Sequence, residues 1–208
     1  MEGSTMKLTH AAGGPGGQEI ILVSPGDPLW PAAAHFVRAK YHDVYGARLG
    51  ALPKTLVLLV DDHAIRCAAG MRDQSERFFS EFYLDEPVER ALGAVAGRLV
   101  LREEVVEVSS LVSSSPADSP RFLRSLIAYG GELGFNWAFF TATGQLQKFL
   151  RRMRLPLIEL ANADPSRVPM PQEWGTYYQT SPKVFAIDRS QMSAFLMQTG
   201  ASQMTGAC

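Results

Sequence analysis

Apolar residues in the first third of the chain follow patterns that predict antiparallel strand pairs. A short apolar run at 19–24 predicts a strand, and apolar residues at helical spacing within 30–46 predict a helix. Two further apolar runs, roughly 55–60 and 64–71, flank the turn-type sequence Asp-Asp-His and predict a β-hairpin. This region therefore contributes strands that are paired with their neighbours in sequence.

The rest of the chain alternates between strand-like and helix-like patterns. Pro87 divides its first part into two short helical pieces, and a long strand or a bent pair of strands follows. Strands and helices then succeed one another, ending in a strand or hairpin that Pro182 interrupts; these elements are expected at 98–114, 120–134, 136–143, 144–154, 155–162 and 176–188. Antiparallel pairs followed by a β-α-β-α-β order predict an α/β fold with a central mixed sheet flanked by helices.

Composition limits the number of domains. The 208 residues, 46% of them apolar and 20% charged, are typical of one soluble globular domain. We expect this domain to occupy 19–190, after a flexible Gly-rich leader at 1–18 and before a C-terminal tail at 191–208.

Charge, cysteine and histidine content exclude several classes of function. Twenty basic and twenty-one acidic residues leave a net charge of −1, so no overall field would attract nucleic acid or an anionic membrane. Cys67 and Cys208 fit neither a disulfide framework nor a zinc pattern, and His35, His42 and His63 lack ligand spacing, so no metal is expected. The chain also lacks a signal peptide and an apolar run of about 20 residues, and we expect a cytoplasmic protein without a transmembrane segment.

Short motifs carry a resemblance to known acyltransferases. "GMRDQ" at 70–74 and "EVSSL" at 107–111 resemble acyl-homoserine-lactone synthases, which are similar to the Gcn5-related N-acetyltransferase superfamily. "FFSEFYLDEPVE" at 78–89, "VEVSSL" at 106–111 and "EWGTYYQTSPKV" at 173–184 resemble the bacterial thermostable haemolysin family more closely. The resemblance implies an N-acyltransferase-like fold in which two neighbouring strands separate and an acyl thioester enters the gap between them.

The resemblance also implies a reaction and its catalytic residues. An N-acyltransferase of this kind would move a fatty acyl group from an acyl carrier protein or coenzyme A thioester to a small amine or amino acid. Glu107 would be the general base, Arg72 would hold the acceptor's carboxylate or pair with Glu107, and Tyr177 or Tyr178 would protonate the leaving thiolate. The alternatives are that Glu107 faces solvent and that the tyrosines are ordinary buried residues.

The donor is expected to be a phosphopantetheine thioester, with no permanently bound cofactor. The loop at 113–122 contains no glycine, which disfavours a close wrap around the pyrophosphate of coenzyme A and favours an acyl carrier protein partner. Residues expected to contact the phosphopantetheine arm are Ser109, Leu111, Ser113, Ser114, Arg121 and Phe122. A basic rim could meet the acidic carrier protein, or its charges could merely solvate helix faces; it comprises Arg121, Arg124, Lys148, Arg151, Arg152 and Arg154.

Aromatic and charged residues elsewhere are candidates for binding the acceptor and the acyl chain. The cluster within 78–84 could wall a long acyl chain or could be ordinary core. Ser110 stands where the lactone synthases carry an arginine, which argues against S-adenosylmethionine as acceptor. The expected substrate-binding residues are Arg38, Tyr41, Phe79, Phe82, Asp85, Trp174 and Tyr178.

Two other classes of function stay open at this point. The family name suggests a haemolytic protein that damages membranes through an exposed apolar surface. A catalytically silent module that only holds an acyl chain is the second alternative.

Overall fold

One mixed sheet organises the protein, whose computed structural model describes residues 7–8 and 18–192. The eight strands lie in the order β1-β2-β3-β4-β5-β6-β8-β7. Their bounds are β1 Lys7–Leu8, β2 Glu19–Val23, β3 Thr55–Asp61, β4 Ala64–Arg72, β5 Val105–Ser113, β6 Trp137–Ala142, β7 Ile158–Asn162 and β8 Lys183–Asp188. Every neighbouring pair is antiparallel except β5 and β6, which are parallel. The predicted mixed α/β sheet is therefore confirmed.

Four α-helices cover the sheet: α1 Trp30–Tyr45, α2 Val88–Ala96, α3 Ser119–Glu132 and α4 Gly144–Arg152. Alternate residues of β3 show that the helices divide between two faces. Leu56 and Leu58 pack in the cluster that contains α1, whereas Val57 and Leu59 pack in the cluster that contains α3. We call the side covered by α1 and α2 the front face and the side covered by α3 and α4 the back face.

The region before β5 matches the expected short helical pieces. A 3-10 helix at Ser80–Tyr83 precedes α2, and Pro87 separates them. The expected long strand is a single strand, β5, which starts at Val105 after a 3-10 helix at Arg102–Glu104.

The prediction of a strand across 176–188 is wrong in its first half. Only β8 is extended, and the residues before it form 3-10 helices at Pro171–Trp174 and Tyr177–Thr180. Ser181 has a φ of 51°, which ends the second of these helices, and Pro182 has no N–H to donate to a ladder. Trp174, Tyr177 and Tyr178 therefore do not lie on a strand.

The remaining predicted boundaries differ little from the structure. The strand expected at 155–162 begins at Ile158, because 155–157 are irregular and follow the turn at 153–154 after α4. The expected leader and tail lie almost wholly outside the described residues.

Candidate functional site

The parallel strands β5 and β6 separate in the middle of the sheet. Val105 pairs with Trp137, Val106 with Ala138 and Glu107 with Phe139. No later residue of β5 pairs with β6, although both strands are described in full. The gap that the resemblance implied is therefore present, and it begins directly after Glu107.

The opposite edge of β5 is interrupted by a bulge. Ala68 pairs with Val112 and Gly70 pairs with Ser109, so two residues of β5, Ser110 and Leu111, oppose one residue of β4. Ser110 adopts a φ of 53°, in the left-handed region that L-residues rarely occupy. Ser110 and Leu111 thus have no register partner in either neighbouring strand.

A cavity of about 420 Å³ occupies the gap and continues onto both faces of the sheet. Tyr41 and Tyr45 of α1 line it on the front face, and Leu126 of α3 and Phe149 of α4 line it on the back face. Because the sheet separates these helices, the cavity is continuous only by passing between β5 and β6. We call its two parts the front arm and the back arm.

Glu107 lies at the base of the gap and is completely buried. One carboxylate oxygen accepts hydrogen bonds from the Arg72 guanidinium at 3.0 Å and the Phe79 amide at 2.8 Å, and the other accepts from the Ser80 amide at 2.6 Å. Arg72 is also the cross-strand partner of Glu107 in the sheet. The alternative that Glu107 faces solvent is therefore wrong, and its predicted pairing with Arg72 is present.

Four polar residues connect this carboxylate to the two sides of the gap. Arg72 also donates to the hydroxyl of Ser109 at 3.1 Å, and Thr141 donates through its hydroxyl to that of Ser80 at 2.9 Å. Ser109 on β5 and Thr141 on β6 both line the cavity, whereas Glu107 and Arg72 do not. We call Ser109, Arg72, Glu107, Ser80 and Thr141 the polar arch, because it joins the diverging strands beneath the cavity.

Aromatic rings cover the arch on the front face. The ring of Tyr177 lies 6.3 Å from that of Tyr41, 5.3 Å from Tyr45, 5.2 Å from Trp174 and 5.4 Å from Tyr178. Burial, followed by the neighbouring tyrosines, raises the pKa of Tyr177 well above its ordinary value. Its hydroxyl therefore keeps its proton at neutral pH and can act only as a donor or a neutral acceptor.

Close backbone packing holds this aromatic segment against α1. The Thr176 amide donates to the carbonyl of Tyr45 at 2.8 Å, and the Arg48 amide donates to that of Glu173 at 2.7 Å. Gly175 has a φ of 54°, and a Cβ atom there would collide with the Tyr45 carbonyl. The glycine of the "EWGTYY" motif is thus required by both its conformation and its contact.

The structure brings only some of the predicted site residues to the cavity. Its wall contains Tyr41, Tyr177, Ser109, Leu111, Ser113 and Phe122, but not Arg38, Phe79, Phe82, Asp85, Ser114, Arg121, Trp174 or Tyr178.

Several of the residues outside the wall have other partners. The guanidinium of Arg38 donates to the carbonyls of Leu49 and Gly50. Asp85, whose side chain is 94% exposed, pairs with Arg167. Because these groups are directed elsewhere, neither Arg38 nor Asp85 is placed to bind a substrate in the cavity.

The aromatic cluster predicted as an acyl wall also lies elsewhere. Phe78, Tyr83 and Leu84 pack into the core with α2, and Phe79 stacks near Trp174. The apolar lining comes instead from α3 and α4, including Leu123, Leu126, Ile127, Leu146, Phe149 and Leu150.

Sequence reasoning did not identify Ser80 or Thr141 as residues of the gap, and Ser110 stood out only as the residue at the position where the lactone synthases carry an arginine. Thr141 lies two residues beyond Phe139, the partner of Glu107, so its place at the gap depends on the register between β5 and β6. Within 18–192, no group of three or more His, Cys, Asp or Glu side chains could hold a metal, and no helix is long and apolar enough to cross a membrane.

Comparison with known proteins supports the family and the fold. The family described as "Thermostable hemolysin" matches residues 23–193. No curated protein matches the chain. The acyl-homoserine-lactone synthase LasI superposes with a TM-score of 0.59 at 10% identity, covering 84% of this chain and 91% of its own.

Two further solved structures share the fold. The coenzyme A-dependent acyl-homoserine-lactone synthase MesI gives a TM-score of 0.55 at 17% identity, covering 91% of this chain and 97% of its own. FeeM, an N-acyl amino acid synthase from uncultured soil microbes, gives 0.54 at 14% identity, with 85% and 97% covered. At these identities the likeness establishes a Gcn5-related N-acyltransferase-like fold.

Proposed function

The chain belongs to the thermostable hemolysin family, and from the cavity that crosses its sheet we propose that it is an N-acyltransferase. A thioester lying in the gap would present its carbonyl to both arms at once. The backbone groups of Ser110 and Leu111, which no neighbouring strand pairs, would hydrogen-bond the extended donor. Acyl-transferring synthases with the same fold make this the function that the geometry supports best.

The acyl chain would occupy the back arm, because apolar side chains dominate its lining. The acceptor amine would enter the front arm and attack the thioester carbonyl. A C–N bond forms, the C–S bond breaks, and the leaving thiolate takes a proton from the Tyr177 hydroxyl, which lines the cavity.

Glu107 would accept the proton that the amine loses. Since three donors already hold its carboxylate and it does not line the cavity, the proton would travel along the polar arch. The Thr141 hydroxyl would take this proton and pass its own to the Ser80 hydroxyl, and the Ser80 hydroxyl would pass its own proton to Glu107, to which Ser80 already donates through its backbone amide. Thr141→Val should then lower kcat while leaving the KM of the donor unchanged, and a changed donor KM with normal kcat would contradict the relay.

An acyl carrier protein is the donor that the charges favour. At the start of α3, where a diphosphate would bind, the Asp118 carboxylate pairs with Arg66 at 2.9 Å and Pro120 lacks an N–H. Exposed cations on the back face form no ion pair with any described residue; they are Arg124, Lys148, Arg151, Arg152 and Arg154.

The choice of donor can be tested by charge reversal on α4. Arg151→Glu together with Arg152→Glu should raise the KM for an acyl carrier protein thioester by about tenfold or more, because complementary charge governs encounter with an acidic partner. The KM for the matching acyl-pantetheine, which lacks the protein, should stay unchanged. Equal effects on both donors would argue against a carrier protein at this surface.

The activity itself is tested by mixing the purified protein with acyl donors and a panel of amines. We expect thiol release and an N-acyl product detected by mass spectrometry. Leu111→Trp, which fills the gap, should abolish both signals, whereas Leu133→Trp at an exposed position should not. Full turnover in Leu111→Trp, or no thiol release from any donor with the native protein, would refute the proposal.

The family's description favours a second candidate, direct haemolysis. Incubating red cells with the protein alone distinguishes direct haemolysis from acyl transfer. Lysis without donor and amine would support a membrane-active protein, while lysis that requires both would trace to an amphiphilic product. Donor binding without turnover would support a silent acyl-binding module.

A further inference from the structure

The charged residues of the cavity wall are all positive. Among the described residues that line the cavity there is no aspartate or glutamate, and the charged residues are Lys40 and Arg189. Arg189 donates to the carbonyl of Gly131 at 2.8 Å, at the C-terminal end of α3 on the back face. Lys40 is thus the charged residue of the front arm, where the acceptor would bind.

Lys40 belongs to α1 and lines the cavity together with Tyr41 and Tyr45 of the same helix. It is half-buried, it forms no ion pair with any described residue, and its ammonium lies 5.9 Å from the centre of the Phe36 ring. The hydroxyls of Tyr41, Tyr45 and Tyr177 likewise form no hydrogen bond within 18–192. The front arm therefore offers one cation without an ion pair and three tyrosine hydroxyls.

The other charged groups near this arm already have partners. Arg72 is held by Glu107 and Ser109, and Arg38 is held by the carbonyls of Leu49 and Gly50. A second cation entering with the acceptor would lose hydration without meeting a carboxylate on the cavity wall. An anionic group would instead meet the Lys40 ammonium.

Resting on the function proposed above, we propose that the acceptor is an amine that also carries a carboxylate, an amino acid, and that Lys40 binds this carboxylate. Sulfonium-containing acceptors and polyamines are disfavoured by the same charges. The carboxylate would sit between the lysine and the tyrosine hydroxyls, with the amine directed toward the gap.

Substrate pairs that differ only in the carboxylate test this assignment. Tyrosine is compared with tyramine, and leucine with 3-methylbutylamine, for the native protein, Lys40→Met, Lys40→Glu and the control Lys54→Glu at an exposed position. Lys40→Met should lower kcat/KM for the amino acids about tenfold and leave the amines within about twofold. Lys40→Glu should reverse the preference, and Lys54→Glu should change nothing.

Calorimetric titration of the same ligands makes the test independent of turnover. A native protein that binds amines as tightly as amino acids, or a Lys40→Glu variant with unchanged preference, would overturn the assignment. A rise in the donor KM in place of the acceptor KM would also overturn it, because Lys40 would then face the thioester. Failure of the proposed function appears differently, as no thiol release from any pair while the binding preference persists.

Discussion

The two halves of β5 belong to one strand and have opposite physical character. Residues 105–107 are buried and all pair with β6, and Glu107 also pairs with Arg72 of β4. Residues 108–113 are half-buried, bulged on one side and unpaired on the other. We call them the closed half and the open half.

The contrast shows how one strand combines rigidity with an accessible site. The closed half ends in Glu107, whose three hydrogen bonds fix it to β4 and to the 3-10 helix. The open half begins at the next residue and exposes backbone groups that a bound chain can pair. The rigid half therefore supports the geometry of the half that binds.

Replacing Glu107 should have the largest effect, because it breaks the closed half. Glu107→Ala leaves the Arg72 guanidinium and the amides of Phe79 and Ser80 buried without their acceptor. We expect a loss of about 3–5 kcal/mol in the free energy of unfolding, measured by urea denaturation.

One exposed variant gives that experiment its control. Glu103 is exposed and lies four residues before Glu107. The free energy of unfolding of Glu103→Gln should stay within about 0.5 kcal/mol of that of the native protein. If Glu107→Ala were equally stable, the carboxylate would not anchor the strand, and its burial would have to be explained by chemistry alone.

The sequence predicted the closed half better than the open half. Glu107 was identifiable because it is a carboxylate among β-branched residues. Its partner Arg72 was identifiable from the motif that contains it. The bulge could not be predicted, because Ser110 is an ordinary strand residue by composition and its positive φ follows from the register between β4 and β5. The position of Thr141 likewise depends on pairing between distant segments.

Ser110 tests the open half. Ser110→Val places a β-branched side chain at a positive φ, which should cost about 1–2 kcal/mol of stability or flatten the bulge. Turnover and donor affinity should fall with it. Ser110→Gly, which tolerates this φ, should retain activity with equal or slightly greater stability, as measured by thermal unfolding and thiol release. Full activity in the valine variant would show that donor binding does not require the bulge.

The back arm should set the length of the acyl chain that the open half accepts. Ile127→Trp adds bulk to the α3 side of the cavity, so kcat/KM for a long acyl chain should fall about tenfold, equivalent to about 1.4 kcal/mol, while acetyl transfer persists. Ala128→Trp, at the next position on the exposed side of α3, should leave the chain-length profile unchanged. Equal losses for short and long chains would show that the acyl group lies elsewhere.

The aromatic residues before β8 led to the prediction of a strand, but backbone conformation determined a different structure there. The run containing Trp174, Tyr177 and Tyr178 has strand-type composition, but Gly175 and Ser181 adopt positive φ values and Pro182 follows at once. Tyr177 of this run still lines the front arm, because the segment packs against α1. Composition thus predicted that this segment lies near the cavity, but it did not predict that the segment forms 3-10 helices.

The smallest expected effect concerns the support beside the closed half. Arg102, in the 3-10 helix before β5, donates to Glu81 at 2.7 and 2.9 Å and to Glu89 at 2.8 Å. Burial raises the pKa of the Glu81 carboxyl, but the hydrogen bonds from Arg102 and the Val88 amide outweigh it, so the pKa lies below its ordinary value of 4.5. This contribution to stability is complete above that value and is lost as the pH falls through the lower folded-state pKa.

Arg102→Met should therefore destabilise the protein by about 1 kcal/mol at pH 7, since the pair is partly exposed, and by less below pH 4 or so. Urea denaturation of both proteins across this pH range measures the difference. Arg90→Met, on the exposed side of α2, should show no such pH dependence. A difference between Arg102→Met and the native protein that is constant with pH would mean that Arg102 acts by packing on Phe78, 4.4 Å from its ring centre, with its charge irrelevant. The closed half would then be supported by apolar contact alone on this side, and the Arg72–Glu107 pair would be its charged anchor.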